Sequence, residues 1–169
     1  MQIDIVAARD SRDVVRNLFG YYIHDLSEMA GIDVGEDGTF TMPASFASWW
    51  EGPEVERRHP FLLRADGKLA GFALVRQVAA DTCDMGEFFV LRKLRRTGLG
   101  RQAACRLFDR FPGKWEVREM ISNVAAQAFW RRIIADYTAG DFDDRREYFE
   151  AYKREYVVQR FRSEGTHGS

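Results

Sequence analysis

The sequence predicts an α/β, or α+β, fold in which helices pack on a mixed β-sheet. Apolar residues make up 46% of the 169 residues, as in an ordinary globular protein. Segments with the period of a strand come first in a run and then alternate with helical segments, which is typical of a layered α/β architecture. A chain of this length can bury a core without disulfides or metals, so we expect one domain over 1–162 and a flexible polar tail at 163–169.

Charge and composition exclude several classes of protein. The net charge of −1 gives no global support to nucleic-acid binding. No apolar stretch is long enough to cross a bilayer, and the N-terminus lacks the features of a signal peptide. We therefore expect a cytoplasmic protein without a membrane partner. Its cysteines, Cys83 and Cys105, are expected to be reduced, and they form no metal-ligand pattern.

The N-terminal segment predicts a strand followed by one long helix. Alternation at 2–7 is typical of a strand, and either Asp10 or Ser11 can cap the helix that follows. Gly31 is a natural end for that helix. A short second helix is expected around 46–50. The apolar face of the long helix consists of Val14, Val15, Leu18, Phe19, Tyr22, Ile23 and Leu26.

The middle of the chain predicts a β-hairpin, a third strand and a second long helix. Segments 61–64 and 69–75 flank Asp66-Gly67, which favours a tight hairpin turn. A further strand is expected at about 83–91. The helix after it shows an apolar residue at every fourth position, namely Leu99, Ala103, Leu107 and Phe111.

The C-terminal third predicts two closing strands after a strand and a helix. The strand is expected at 115–120 and the amphipathic helix at 123–134. The closing strands are expected at 137–142 and 156–161. The charged stretch 143–153 between them is expected to be a turn or a helical piece.

Residues 86–101 combine a buried strand, a basic glycine-containing loop and the start of a helix. Gly98 and Gly100 allow the backbone to approach a ligand closely. A helix start presents unpaired N–H groups and the positive end of the helix dipole, so a phosphate or pyrophosphate fits there. The basic side chains of this stretch, which can attract phosphates or simply be solvated, are Arg92, Lys93, Arg95, Arg96 and Arg101.

Two motifs carry a resemblance to a known family. Residues 95–100, Arg-Arg-Thr-Gly-Leu-Gly, resemble the Arg/Gln-x-x-Gly-x-Gly signature of the GNAT superfamily of N-acetyltransferases. Residues 123–130 resemble the family's second signature, Asn-x-x-Ala-x-x-Phe-Tyr, and the order of predicted elements matches over about 2–162. The resemblance implies a mixed, mostly antiparallel central sheet flanked by helices, with strands splayed at the coenzyme A site.

The resemblance also implies acetyl-CoA, or another acyl-CoA, as co-substrate and no metal. The strand end would pair with the pantetheine arm, and the backbone of the basic loop would hold the pyrophosphate. Asn123 can instead serve as a helix N-cap, and Phe129 and Trp130 can instead be core residues. The CoA-binding residues implied are Phe89, Val90, Leu91, Arg95, Arg96, Thr97, Gly98, Leu99, Gly100, Arg101, Asn123, Phe129 and Trp130.

Acetyl transfer to an amine needs a base, an oxyanion donor and a proton for the leaving thiolate. The resemblance implies Glu87 as the base, although a local arginine could equally satisfy this carboxylate, and the backbone N–H of Val90 as the oxyanion donor. The family's tyrosine, the usual acid, is replaced here by Trp130, whose indole cannot deliver a proton as a phenol does. Tyr137 is the substitute candidate, with a water molecule as the alternative.

An acidic segment precedes the basic loop in the chain. Between residues 25 and 56 there is no lysine or arginine, so this segment is either a solvated surface or an entrance that attracts a cationic substrate. Aromatic candidates for the wall of the acceptor pocket are Tyr21, Tyr22, Trp49 and Trp50. The eight carboxylates are Asp25, Glu28, Asp33, Glu36, Asp37, Glu51, Glu54 and Glu56.

The sequence thus predicts an N-acetyltransferase that transfers an acetyl group from acetyl-CoA to a primary amine by direct attack. The expected acceptor is a cationic small molecule or a peptide amine. A route through an acylated cysteine is disfavoured, since no cation is placed to activate a thiolate. The alternative is an acyl-CoA-binding sensor without turnover, which the tryptophan at position 130 favours. Small domains of this kind often pair, so a homodimer is also expected.

Overall fold

The computed structural model describes residues 1–165. Its three longest helices are α1 (Arg12–Ala30), α2 (Leu99–Arg110) and α3 (Val124–Thr138). Short 3-10 helices lie at Ala44–Trp49, Val55–Arg57 and Arg92–Leu94. The strands are β1 (Ile3–Ala7), β2 (Arg58–Ala65), β3 (Lys68–Ala79), β4 (Thr82–Val90), β5 (Gly113–Met120), β6 (Asp143–Phe149) and β7 (Arg154–Ser163).

The chain forms two compact units. The first comprises 1–75 and 87–95, and the second comprises 76–86 and the chain from 96 onward. In the first unit the strands follow the order β1-β2-β3-β4, and in the second the order β3-β4-β5-β7-β6. β4 and β5 are parallel, whereas the β1–β2, β5–β7 and β6–β7 pairs are antiparallel. The predicted α+β fold with a mixed, mostly antiparallel sheet is confirmed.

An aromatic cluster holds α1 in the first unit. The ring of Phe19 stacks on that of Phe72 in β3, with centroids 5.4 Å apart, and meets Phe46 edge-on at 5.2 Å. Such pairs add to the free energy of burial. The helix begins after Ser11 and ends at Gly31, where a φ of 62° places the backbone in the left-handed region. The predicted end at Gly31 is therefore confirmed, and α1 starts directly after Ser11 as expected, but the side chain of Ser11 makes no capping hydrogen bond.

The predicted second helix forms only as 3-10 turns. Pro43 precedes the first turn, Ala44–Trp49, and Gly52-Pro53 follows it, which leaves too few residues for an α-helix. The side chain of Arg9 donates hydrogen bonds to the carbonyl oxygens of Trp49, Val55 and Arg58. Because these bonds satisfy backbone groups at three points, they fix the path of the segment without a regular helix.

Two predictions for the C-terminal third are wrong. The segment 137–142 is not a strand, because α3 continues to Thr138 and ends at Ala139, which has a left-handed φ of 52°. The predicted turn or helical piece at 143–153 contains strand β6 instead. β6 is the last strand in the order of its unit. Charged residues are common on such edge strands, since they discourage pairing with other chains.

β3 and β4 approach each other closely at Gly71. A Cβ atom built on Gly71 would lie 1.9 Å from the carbonyl oxygen of Phe89, far inside van der Waals contact. The neighbouring N–H of Leu91 donates a hydrogen bond of 2.9 Å to the carbonyl oxygen of Ala70. Only glycine fits this approach, so Gly71 fixes the backbone of β4 near its end. The sequence analysis did not single out this glycine.

Glu119 and Gln159 form a buried polar pair in the second unit. Glu119 on β5 is 4% exposed and Gln159 on β7 is fully buried. No group in residues 1–165 makes a hydrogen bond of good geometry to the side-chain oxygens of Glu119. Burial raises the pKa of Glu119 to about 8, and the nearby amide of Gln159 and the charge of Arg131 offset only part of that effect.

We predict that Gly71→Ala destabilises the first unit. The added methyl group must displace backbone atoms of Phe89, which we expect to cost about 2 kcal/mol or more of the free energy of unfolding. Urea unfolding measures this loss. The control is Gly20→Ala within α1, where nothing lies within 4 Å of the added Cβ, so stability should rise slightly. Equal stabilities of the two variants would contradict the close approach.

We predict that stability falls as pH rises from about 5 to about 8 because of Glu119. In the unfolded chain this carboxyl ionises at its usual pKa, whereas the folded protein retains the proton up to pH about 8. Glu119→Gln should therefore flatten the dependence of Tm on pH and raise Tm at pH 8. The control is Glu116→Gln on β5, the strand of Glu119, which removes an ion pair with Arg160 of β7 and should keep the wild-type slope. A slope unchanged in Glu119→Gln would refute the assignment.

Candidate active site

Glu87 lies near the end of β4, where a tyrosine of α1 holds its carboxylate. The hydroxyl of Tyr22 donates a hydrogen bond of 2.7 Å to Oε2 of Glu87. Burial, followed by the charge of Glu87, raises the pKa of Tyr22 well above its usual value. The phenol therefore keeps its proton and acts as a donor. The sequence analysis named Tyr22 only as a candidate for the acceptor pocket wall.

Two arginines after β4 are paired with Asp25 on α1. Nε of Arg92 lies 2.9 Å from Oδ1 of Asp25, and Nη2 of Arg95 contacts Oδ2 of the same carboxylate. Although partial burial opposes the effect, hydrogen bonds from Arg95 and Arg92 lower the pKa of Asp25 below its usual value. Arg95 also donates from Nε to the carbonyl oxygen of Val90 at 2.8 Å and lies over the ring of Phe89.

These ion pairs change the expected role of the basic side chains. Arg92 and Arg95 both share their charge with Asp25, so neither presents a full positive charge for phosphates. Asp25, in turn, is one of the eight acidic residues expected near a cationic acceptor, and its charge is largely compensated. The expectation that residues 95–101 bind an anion therefore rests more on their backbone than on these side chains.

The loop before α2 has the backbone geometry of an anion site. Arg96 and Gly98 have left-handed φ values of 62° and 88°, and the helix begins at Leu99. The N–H of Gln102 is the first to bond back, to the carbonyl oxygen of Gly98. The N–H groups of residues 99–101 thus lack an acceptor within the helix. No acidic residue lies in the first turn, so its positive dipole end is uncompensated by side chains.

The second signature lies at the start of α3. Oδ1 of Asn123 accepts a hydrogen bond of 3.1 Å from the N–H of Ala126, which confirms the alternative that it is a helix N-cap. Trp130 is buried, with its ring 5.0 Å from that of Phe129 and 6.3 Å from that of Phe108. Trp130 therefore belongs to the core of the second unit. Phe129 is half-buried.

Tyr137 lies in α3 with its hydroxyl in a hydrogen-bonded group. It donates to Oδ1 of Asp109 at 2.6 Å and lies 2.7 Å from Oγ of Ser163. Ser163 donates in turn to the carbonyl oxygen of Phe108. Burial and the hydrogen bond to Asp109 raise the pKa of Tyr137 to about 12. These contacts indicate a structural role for the phenol, and its predicted role as general acid is a separate question for experiment.

Neither cysteine is placed as a nucleophile. Burial, and then the charge of Asp84, raises the pKa of Cys83 to about 11. Burial also raises the pKa of Cys105. Both therefore remain thiols near neutral pH, and both are free of disulfides. An acyl-cysteine intermediate gains no support from this geometry.

Residues 1–165 contain neither a candidate metal site nor a candidate membrane-spanning helix. No group of three or more histidine, cysteine, aspartate or glutamate side chains in this part of the chain is arranged to hold a metal ion. None of its helices combines the length and the apolar character needed to span a membrane.

Solved structures with similar folds are bacterial acetyltransferases. The ribosomal-protein-S18-alanine N-acetyltransferase of Escherichia coli is 20% identical, with a TM-score of 0.58 over 99% of this chain and 97% of that one. An acetyltransferase of Thermus thermophilus is 14% identical, with a TM-score of 0.69 over 96% and 97%. A Bacillus subtilis acetyltransferase solved with CoA is 12% identical, with a TM-score of 0.59 over 95% and 99%. These likenesses show the fold.

The sequence itself matches one family of enzymes. No curated protein matches the chain significantly. The sequence model of the acetyltransferase (GNAT) family, however, matches residues 22–134, which is more than half of the chain. The matched range contains the C-terminal part of α1, all of β4, the loop before α2 and most of α3. The chain therefore belongs to the acetyltransferase (GNAT) family of acyltransferases, which transfer an acetyl group from acetyl-CoA.

Proposed function

We propose that this acetyltransferase acetylates a primary amine by direct attack on the thioester, with Glu87 as the base. The observation that carries the proposal is the half-buried carboxylate of Glu87, fixed by the hydroxyl of Tyr22 near the end of β4. An amine is protonated at neutral pH and must lose a proton before it can attack. A carboxylate in a fixed position can accept that proton.

Coenzyme A binding is proposed at the strand end and the loop that follow Glu87. The loop fits a pyrophosphate, since residues 99–101 offer N–H groups at an uncompensated helix N-terminus. Residues 89–91 would pair with the pantetheine arm. In support, the pairing between β4 and β5 ends at Met85 and Val117, whereas β4 itself continues to Val90. Asn123, Phe129 and Trp130 remain proposed contacts of the same arm.

The remaining steps concern the oxyanion and the leaving group. The backbone N–H of Val90 is the proposed donor to the oxyanion that develops on the thioester carbonyl. The thiolate then takes a proton, either from water or from Tyr137. The raised pKa of Tyr137 and its bond to Asp109 favour water as the source. We retain Tyr137 as a proposal that Tyr137→Phe tests by the rate of thiol release.

A cationic acceptor is proposed because part of the acidic segment is not paired in the described chain. Glu51 forms an ion pair with Arg12, and Glu54 forms one with Arg57. No ion pair within residues 1–165 involves Glu28, Asp33 or Glu36, all of which are exposed. Their charges create a negative potential at the end of α1 and in the loop after it.

A sensor that binds acyl-CoA without turnover is the second candidate. The observation that favours it is the buried indole of Trp130 at the position of the family's tyrosine.

Cytoplasmic location and a homodimer are further proposals. Two free thiols in the described residues support the first, and size-exclusion chromatography tests the second.

A broad amine screen with acetyl-CoA and detection of released thiol tests the proposed function. Acetylation of one or more cationic amines supports the enzyme. Binding of acetyl-CoA and CoA by calorimetry, together with no transfer to any amine, supports the sensor and contradicts the proposed function.

We predict that Glu87→Gln lowers kcat about a hundredfold or more while acetyl-CoA affinity changes less than about twofold, because the amide cannot accept the proton. Steady-state kinetics and calorimetry measure the two quantities. The matched control is Glu155→Gln on β7, an exposed carboxylate that should leave both unchanged. A loss confined to CoA binding would refute the role of base.

We predict that the combined variant Glu28→Gln, Asp33→Asn, Glu36→Gln raises KM for a cationic acceptor about threefold to tenfold, with less effect at high salt. The reason is the lost attraction between these carboxylates and the ammonium group. A control with equal charge change is Asp141→Asn, Glu150→Gln, Glu155→Gln, three exposed positions in the second unit. Identical KM values in the two variants would remove the argument for electrostatic attraction.

A further inference from the structure

We propose that Tyr22 is a positioning residue for catalysis, whose hydroxyl holds the Glu87 carboxylate in the orientation and the ionised form that accept the proton of the amine. The inference rests on the proposed role of Glu87 as the base. It assigns a function to a side chain of α1, far from Glu87 in the sequence, that neither signature contains.

The phenol of Tyr22 is fixed in place by aromatic packing. Its ring meets those of Phe19 and Phe72 edge-on, with centroids 5.3 Å and 5.8 Å apart. The ring of Phe89, two residues after Glu87 on the same strand, lies 5.9 Å away. Three rings thus restrict the orientation of the Tyr22 side chain, so its hydroxyl points to Oε2 of Glu87 at little further cost in conformational entropy.

The hydrogen bond favours the charged form of the base. A carboxylate that is half-buried is destabilised by the loss of water, and a donor to its oxygen offsets that loss. Because the pKa of Tyr22 is raised, the phenol does not lose its proton to Glu87. In the proposed step Glu87 first accepts a proton from the ammonium group. The neutral nitrogen then bonds to the thioester carbon, the carbon–sulfur bond breaks as the CoA thiolate leaves, and Tyr22 remains a donor throughout.

The ionic group one turn from Tyr22 on α1 is compensated. Asp25 lies one turn after Tyr22 on α1, and it is paired with Arg92 and Arg95, which follow Glu87 on the chain. Although partial burial raises the pKa of Asp25, the hydrogen bonds from Arg95 and Arg92 lower it on balance, so Asp25 keeps its charge over the pH range in which a carboxylic base titrates. A change in the pH dependence of Tyr22→Phe would therefore report on Glu87.

The test is the pH profile of kcat/KM for Tyr22→Phe, which removes one oxygen and keeps the ring. We expect the acid limb to move to higher pH by about half a unit to one unit, so that activity on that limb falls about threefold to tenfold. KM for acetyl-CoA should change less than about twofold, because the substitution removes none of the contacts proposed for acetyl-CoA. The matched control is Tyr148→Phe on β6, whose side chain is 58% exposed and should leave the profile unchanged.

A second measurement does not depend on turnover. Carbon-13 titration of the glutamate side chains, with Glu87→Gln to assign the resonance, follows the ionisation of Glu87 directly. We expect its midpoint to rise in Tyr22→Phe and to fall when 3-fluorotyrosine, a stronger donor, replaces Tyr22. If thermal unfolding shows that Tyr22→Phe does not fold, the shift of the Glu87 midpoint in the fluorinated variant alone tests the inference.

The outcomes separate this inference from the proposed function. Profiles and midpoints that coincide for wild type, Tyr22→Phe and Tyr148→Phe overturn the inference, whether or not Glu87→Gln is inactive. Full activity of Glu87→Gln overturns both the base and the role of Tyr22 in catalysis. A shifted Glu87 midpoint together with transfer to no amine would leave the hydrogen bond in place and contradict the proposed function.

Discussion

The packing of α1 on the aromatic side chains of β3 and β4 is the interaction on which the candidate site of the first unit depends. Phe19, Phe72 and Phe89 surround Tyr22, and Tyr22 in turn holds Glu87. An apolar contact thereby sets the position of a polar group. The same helix face carries the carboxylate that pairs with two arginines after β4. One helix therefore orders both the proposed base and the start of the loop that we propose for CoA.

Ion pairs compensate part of the charge that the sequence displays in blocks. The basic stretch after β4 and the acidic segment 25–56, which begins within α1, meet in the ion pairs of Asp25, so neither block is as strongly charged as it appears in the sequence. The N-terminus of α2 is left as the proposed site for the anionic pyrophosphate. The exposed carboxylates of the loop after α1 are left to attract the proposed cationic acceptor. Binding of the two substrates is thus assigned to different groups.

Local patterns predicted the parts of the fold that local physics decides. The ends of α1 followed from Ser11 and Gly31, and the hairpin followed from Asp66-Gly67, which have the left-handed φ values that its turn requires. β6 was missed because an edge strand needs no apolar alternation. Gly71 and the bond from Tyr22 to Glu87 join residues distant in sequence, so no spacing rule could reveal them.

The central claim is that an amine attacks the thioester of acetyl-CoA directly, without an acylated enzyme. The most direct test varies both substrates in an initial-velocity experiment, with radiolabelled acetyl-CoA used to check for label on the protein. The account predicts intersecting reciprocal plots and no label on the protein in the absence of amine, since burial keeps Cys83 and Cys105 as thiols. Parallel plots together with a labelled cysteine would contradict it.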